Sequence, residues 1–133
     1  MKLEEHSLKF LEMAFRTDNH GTIKHPDGYG KKTGECGDTI EIFLYIKQGL
    51  IKEITFRAWG CINTNACSNA IVSLAKGKTP EKAWEITPDI ISDFLETLPQ
   101  DHFHCAELAA GTFYLALTDY HKISQNPWKK SYR

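Results

Sequence analysis

Three cysteines in this chain sit beside glycine, a carboxylate or histidine, the company that metal-binding thiols keep. Cys36 lies in Gly34-Glu35-Cys36-Gly37-Asp38, Cys61 ends Trp59-Gly60-Cys61, and Cys105 directly follows His104. The thiolate is the form of cysteine that ligates metal and attacks sulfur. Soft thiolates joined by one harder ligand suit Zn²⁺, Fe²⁺ or a [2Fe–2S] unit. Asp38 and His104 each stand close enough in sequence to supply that further ligand. The three cysteines are 25 and 44 residues apart and no C-x-x-C pair occurs. A zinc ribbon or finger, which preorganises its site with close pairs, is therefore disfavoured. Ligands this dispersed can be gathered only by a folded domain. Gly34, Gly37 and Gly60 let the backbone approach a metal or cluster closely. The fourth cysteine, Cys67, falls in the middle of an expected helix with no histidine or carboxylate beside it, and reads as buried apolar filler.

A chain of 133 residues suits one domain with one core. Sixteen basic residues against seventeen acidic ones leave a formal net charge of −1, so nothing electrostatic argues for a nucleic-acid partner. The cluster Lys129, Lys130 and Arg133 reads as a short, solvated basic tail over 123–133. No apolar run approaches the ~20 residues of a membrane span, and Met1-Lys2-Leu3-Glu4-Glu5-His6 lacks the apolar stretch of a secretory signal. The expected location is the cytoplasm, where thiols stay reduced and disulfides do not account for four cysteines.

The elements that must position these residues follow from periodicity. Leu8, Leu11 and Phe15 form an apolar stripe on a helix over 3–16. The turn formers of 17–35 predict a loop with a short edge strand near 29–34. Ile40, Ile42, Leu44 and Ile46 alternate along a strand over 39–46, with Glu41, Phe43 and Tyr45 on its other face. Lys47-Gln48-Gly49 supplies a turn into a partner strand over 51–59, with Ile54, Phe56 and Ala58 on one face. Asn63 or Thr64 caps a helix running to Lys76, closed by Gly77. Thr79-Pro80 and Thr87-Pro88 start two more helices. The second carries Ile90, Ile91, Phe94, Leu95 and Leu98 inward and ends at Pro99. A last helix spans 102–122. The expected fold is α+β: a small antiparallel β-sheet of about three strands with about five helices packed on one face. Cys36, Cys61 and Cys105 all fall at boundaries between elements, and helix N-termini favour the thiolate.

Taken together, these residues resemble a known family. Cys36-Gly37-Asp38, Trp59-Gly60-Cys61 and His104-Cys105 look like the three cysteine motifs of the IscU/NifU N-terminal iron–sulfur cluster scaffold family. Asn19-His20-Gly21, Asp27-Gly28-Tyr29-Gly30, Lys76-Gly77-Lys78-Thr79-Pro80-Glu81-Lys82-Ala83, Leu98-Pro99, Leu108-Ala109 and Asp119-Tyr120 match further segments in order. The resemblance covers residues 6–120 and implies the SufE/NifU-like fold. The whole of 1–133 is then expected to be one IscU-type domain, without the extra domains of full-length NifU.

The resemblance implies an assembly platform rather than an enzyme. A cysteine desulfurase delivers sulfur as persulfide, iron and electron donors join it, and a transient [2Fe–2S] cluster passes to apo iron–sulfur proteins. Cys36, Cys61 and Cys105 are the implied ligands, with Cys105 as persulfide acceptor and Asp38 and His104 at the family's acidic and histidine positions. The acid is associated with cluster lability, and zinc can bind in the cluster-free form. The oligomeric state expected is monomer or dimer. The sequence departs from the family at three places. Leu98-Pro99-Gln100-Asp101-His102 replaces the Leu-Pro-Pro-Val-Lys segment that docks an Hsp70-type chaperone. Ile62-Asn63-Thr64-Asn65-Ala66-Cys67-Ser68 is more polar than usual and adds a thiol. The Asn-Pro near the end of the first helix is replaced around Arg16-Thr17-Asp18. The rival readings are a zinc-bound sulfur acceptor of SufU type and a thiol enzyme. The SufU branch carries an insertion between its second and third cysteines and lacks a histidine before the third, unlike this chain. A thiol enzyme would need His104 to face Cys105, which neighbours on one helix hardly do.

Overall fold

A computed structural model of the chain describes residues 5–132. Helix α1 (Leu8–Phe15) leads into strands β1 (Gly28–Thr33), β2 (Thr39–Lys47) and β3 (Leu50–Trp59). Helices α2 (Ile62–Ala75), α3 (Pro80–Ala83), α4 (Pro88–Leu95) and α5 (Phe103–Gln125) follow. The strands form one antiparallel sheet in the order β1-β2-β3, the α+β arrangement expected. Gln48 and Gly49 both take positive φ and close the β2–β3 hairpin, as tight two-residue hairpin turns require.

The core lies between the helices and one sheet face. Ile40, Ile42 and Leu44 of β2 and Ile54 and Phe56 of β3 meet Phe10, Ile71, Phe113 and Leu117 there. Helix α5 rides directly on β1. A Cβ at Gly30 would stand 2.4 Å from the Thr112 carbonyl oxygen, and one at Gly28 would stand 2.5 Å from that of Ala116. The two glycines permit this contact. On the opposite face Glu41 is buried all the same. Its carboxylate accepts from Tyr29 Oη and, at 2.7 Å, from Arg57 Nε. Arg57 in turn lies over the rings of Phe43 and Trp59.

Several expectations need correction. Helix α1 starts at Leu8, where the Ser7 side chain caps Phe10 N, and residues 3 and 4 of the longer helix expected lie outside the described residues. Its buried stripe is Phe10, Met13 and Ala14, while Leu8 is 86% and Phe15 57% exposed. Both stripes are apolar, and only the i, i+3, i+4 one meets α2. Helix α4 ends at Leu95 rather than at Pro99, because Glu96 turns to φ 66°, and Ile90 faces outward. Helix α5 runs on to Gln125 and a 3₁₀ segment spans Pro127–Tyr132. Within it Lys130 pairs with Asp27 at 2.7 Å instead of standing in solvent; the side chain of Lys129 and all of Arg133 lie outside the described residues. None of the described helices is long and apolar enough to cross a membrane.

The polar residues of α2 have a structural use. Asn69, fully buried, donates to the carbonyls of Met13 at 2.8 Å and Arg16 at 3.1 Å, and accepts from Asn19 Nδ2 at 2.9 Å. Asn65 donates to Ala14 O at 2.8 Å. The carbonyls orphaned at the end of α1 are satisfied from the neighbouring helix.

Candidate metal centre

The site is built at one edge of the domain, where β3 passes into α2 and α5 begins. Cys61 is the N-cap of α2, a place expected for Asn63 or Thr64. Its sulfur lies too far for a regular capping bond but faces the free N–H groups of the first turn. Burial pushes the Cys61 thiol up. The backbone N–H of Thr64, the Asn63 carboxamide at 3.6 Å and the Asn63 backbone outweigh it, so the net shift is downward. Ionisation of this thiol is favoured, as partial positive charge at a helix N-terminus dictates. Asn63 Oδ1 is left buried without a hydrogen-bond partner.

Cys105 behaves differently although it too sits in a first helical turn. It is 1% exposed, and burial pushes its pKa up to about 12, opposed by the Thr64 hydroxyl and reinforced by the charges of Cys61 and Asp38. Desolvation penalises the thiolate more than the helix end favours it. The expectation of a ready thiolate thus holds at Cys61 and fails at Cys105.

Thr64 connects the parts. Fully buried on the first turn of α2, its Oγ1 donates to Asp38 Oδ2 at 2.6 Å and lies 3.6 Å from Cys105 Sγ and 3.9 Å from Cys61 Sγ. Gly60 makes room for the carboxylate, since a Cβ there would stand 2.6 Å from Asp38 Cγ. Gly60 therefore admits Asp38, where closeness to a metal had been the expected use.

Among the described residues, Cys61, His102 and Cys105 bring one ligand atom each within 4.8 Å of one another. Cys105 Sγ and His102 Nδ1 are 4.0 Å apart. Two thiols and an imidazole are a borderline-soft donor set of the kind that Zn²⁺ and Fe²⁺ accept. Cys36 and His104 are not in that group; both line a groove with Lys32, Glu35, Glu107 and Leu108. Cys36 is exposed on the β1–β2 loop, and His104 is exposed on α5. Cys67 is fully buried, and burial, with the charges of Cys105 and Cys61 behind it, raises its thiol well above the ordinary value.

Two residues of this site escaped the sequence reading. His102 is three positions before Cys105, a spacing that puts two side chains on one helix face, whereas adjacent residues such as His104 diverge. Thr64 has the same i, i+3 relation to Cys61. That spacing was the available signal in both cases.

The fold and this cysteine edge define a class of small sheet-and-helix domain with a thiol-rich corner. The chain belongs to the NifU-like N-terminal domain family, which it matches over residues 5–127. Iron-sulfur cluster assembly scaffold protein IscU 1 of Archaeoglobus fulgidus is 38% identical over 103 residues, covering 77% of this chain and 67% of that one. The IscU scaffold protein of Aquifex aeolicus is 27% identical over 119 residues, covering 87% and 76%. In fold, the chain is similar to the crystal structure of a SufU-type scaffold protein from Fervidobacterium islandicum, with a TM-score of 0.71 at 18% identity over 88% of this chain and 99% of that one.

Proposed function

We propose that this protein is an iron–sulfur cluster assembly scaffold: persulfide sulfur from a cysteine desulfurase, reduced to sulfide by an electron donor, combines on it with iron into a labile [2Fe–2S] cluster, which passes to apo-proteins. The observation that carries the reading is the convergence of Cys61 and Cys105, remote in sequence, beside an Asp38 carboxylate tied to both through Thr64. Membership of the family and the scaffold relatives support it. Cys36, on its exposed loop, is the third cluster ligand, with Asp38 or His104 completing the set. The domain is a single cluster-building unit acting in the cytoplasm, and its role is to hold and release the cluster rather than to turn over a substrate.

A thiol with pKa raised to about 12 is a poor nucleophile. Sulfur transfer to Cys105 therefore requires the site to open first, so that the thiol regains solvent. Anaerobic reconstitution with ferrous iron, cysteine, a thiol reductant and a cysteine desulfurase tests the proposal. The expected product has a [2Fe–2S] absorption spectrum that is lost in Cys36→Ser, Cys61→Ser and Cys105→Ser and kept in Cys67→Ser. The Cys–His–Cys donor set also favours a second reading, a zinc-bound sulfur acceptor. A protein that stays colourless while accepting sulfur and holding one tight zinc establishes that alternative instead.

A further inference from the structure

We propose that residues 96–102, the connector between α4 and α5, form a cover over Cys105. The cover hinges at Glu96 and is latched to the body of the domain by the N-terminal strap His6–Ser7, through the hydroxyl of Thr97. This deepens the scaffold reading, which needs Cys105 to regain solvent, and rests on that reading only for the purpose of the opening. The connector ends at the sulfur. After Pro99, the 3₁₀ turn Gln100–His102 sets His102 Nδ1 4.0 Å from Cys105 Sγ, and that thiol is 1% exposed.

Glu96 has φ 66° and ψ −50°, and Thr97 N donates to the Leu95 carbonyl at 2.7 Å. That bond closes a γ-turn of the strained hand, rare for a residue with a side chain. Strained backbone persists only where its surroundings over-determine it. Before the turn, Glu96 N donates to the Ser92 and Asp93 carbonyls at 3.1 and 3.2 Å. After it, the connector is held by the packing of partly buried Leu98 against the core and by the strap. Thr97 Oγ1 accepts from Ser7 N at 3.1 Å and gives its one proton to His6 Nδ1 at 3.0 Å. The strap is itself anchored in the body. The His6 ring stacks on fully buried Phe10 at 4.1 Å, and Ser7 Oγ caps Phe10 N at 3.2 Å. Thr97 is thus the point where a segment about 90 residues away in sequence holds the connector down against the strain at Glu96. Thr97 and His6 are positioning residues, acting on Cys105 through the connector.

The test is native-state alkylation of the reduced, metal-free chain by iodoacetamide, read at Cys105 by peptide mass spectrometry. Fully buried Cys67 of α2 is the internal reference for global unfolding. Thr97→Val removes both strap bonds and should speed Cys105 about tenfold, while Cys67 stays within about twofold. Thr97→Ser, which keeps the hydroxyl, should match the unaltered chain. Glu96→Gly relieves the turn, since glycine takes positive φ freely, and should slow Cys105 at least about threefold. Equal acceleration of Cys67 and Cys105 in Thr97→Val, an unchanged Cys105, or a serine variant that behaves as the valine one overturns the latch. A Glu96→Gly variant no slower than the unaltered chain overturns the hinge. Amide exchange on the unaltered protein is independent of any folding defect. The amides of Ser7, Thr97 and His102, all hydrogen-bonded, should open together and before those of α2; opening only with α2 refutes an independent cover. Sulfur transfer is a separate arm. In it the Cys105 thiolate takes the outer sulfur of the desulfurase persulfide, and the desulfurase cysteine leaves as thiolate. Thr97→Val should load Cys105 faster, and unchanged loading beside faster alkylation refutes the cover's part in delivery. A chain that alkylates as described but takes no sulfur in any variant refutes Cys105 as the scaffold's acceptor and leaves the latch standing.

Discussion

Thr64→Val isolates the hydrogen bond on which the acidic arm of the site depends. The hydroxyl carries one proton, and its 2.6 Å contact with Asp38 Oδ2 is far shorter than its 3.6 Å contact with Cys105 Sγ. The bond at stake is therefore the one to the carboxylate. Hydrogen bonds to charged groups contribute about 1.5–3 kcal/mol. Asp38 is only half-buried, which places this one near the lower end, about 1.5 kcal/mol. Valine keeps the shape of the side chain, so no cavity adds to the loss. With a urea m-value of about 1–3 kcal/mol/M, the midpoint should fall by about 0.5–1.5 M. The assay is urea unfolding of the metal-free, reduced protein followed by circular dichroism, with Thr64→Ser as the variant that keeps the hydroxyl. A double-mutant cycle with Asp38→Ala should return a coupling energy of about the same 1.5 kcal/mol. The reasoning is refuted if the serine and valine variants unfold together, or if the cycle is additive within about 0.5 kcal/mol.

Three further outcomes are expected. Asn69→Leu removes two donors from the end of α1 and the acceptor for Asn19; at about 1 kcal/mol per bond it should destabilise by about 3 kcal/mol, with amide exchange in α1 quickening before that in α5. In metal-free protein at pH 8, iodoacetamide should label Cys61 at least about 100-fold faster than Cys105, read by peptide mass spectrometry, because one thiol is lowered and the other raised to about 12; equal rates would show that burial does not govern Cys105. The same shift fixes a sign in alkali. Folded Cys105 keeps a proton that an unfolded thiol loses near pH 9, so stability is unaffected below pH 9 and falls as pH rises toward about 12. Cys105→Ala should lessen that fall.

The sequence alone was enough for the sheet, since strict alternation from Ile40 to Ile46 and a Gln48-Gly49 turn leave a strand few alternatives. It was enough, too, for placing Cys36, Cys61 and Cys105 at element boundaries, because glycine, proline and capping residues mark those boundaries locally. What it left open was decided by packing. Leu8-Leu11-Phe15 and Phe10-Met13-Ala14 are both apolar stripes of α1, and only the surface of α2 chooses between them. Cys61 and Cys105 are both thiols at helix starts, yet one is lowered and the other raised, because burial depends on what folds over each. His104 adjoins Cys105 in sequence and lines a groove with Cys36, yet it is His102, three residues back, whose Nδ1 comes within 4.0 Å of the sulfur. Neighbourhood along the chain is a one-dimensional property, whereas ligand distance, desolvation and the pairing of Asp38 with Thr64 exist only once the β3–α2 corner and the start of α5 have met.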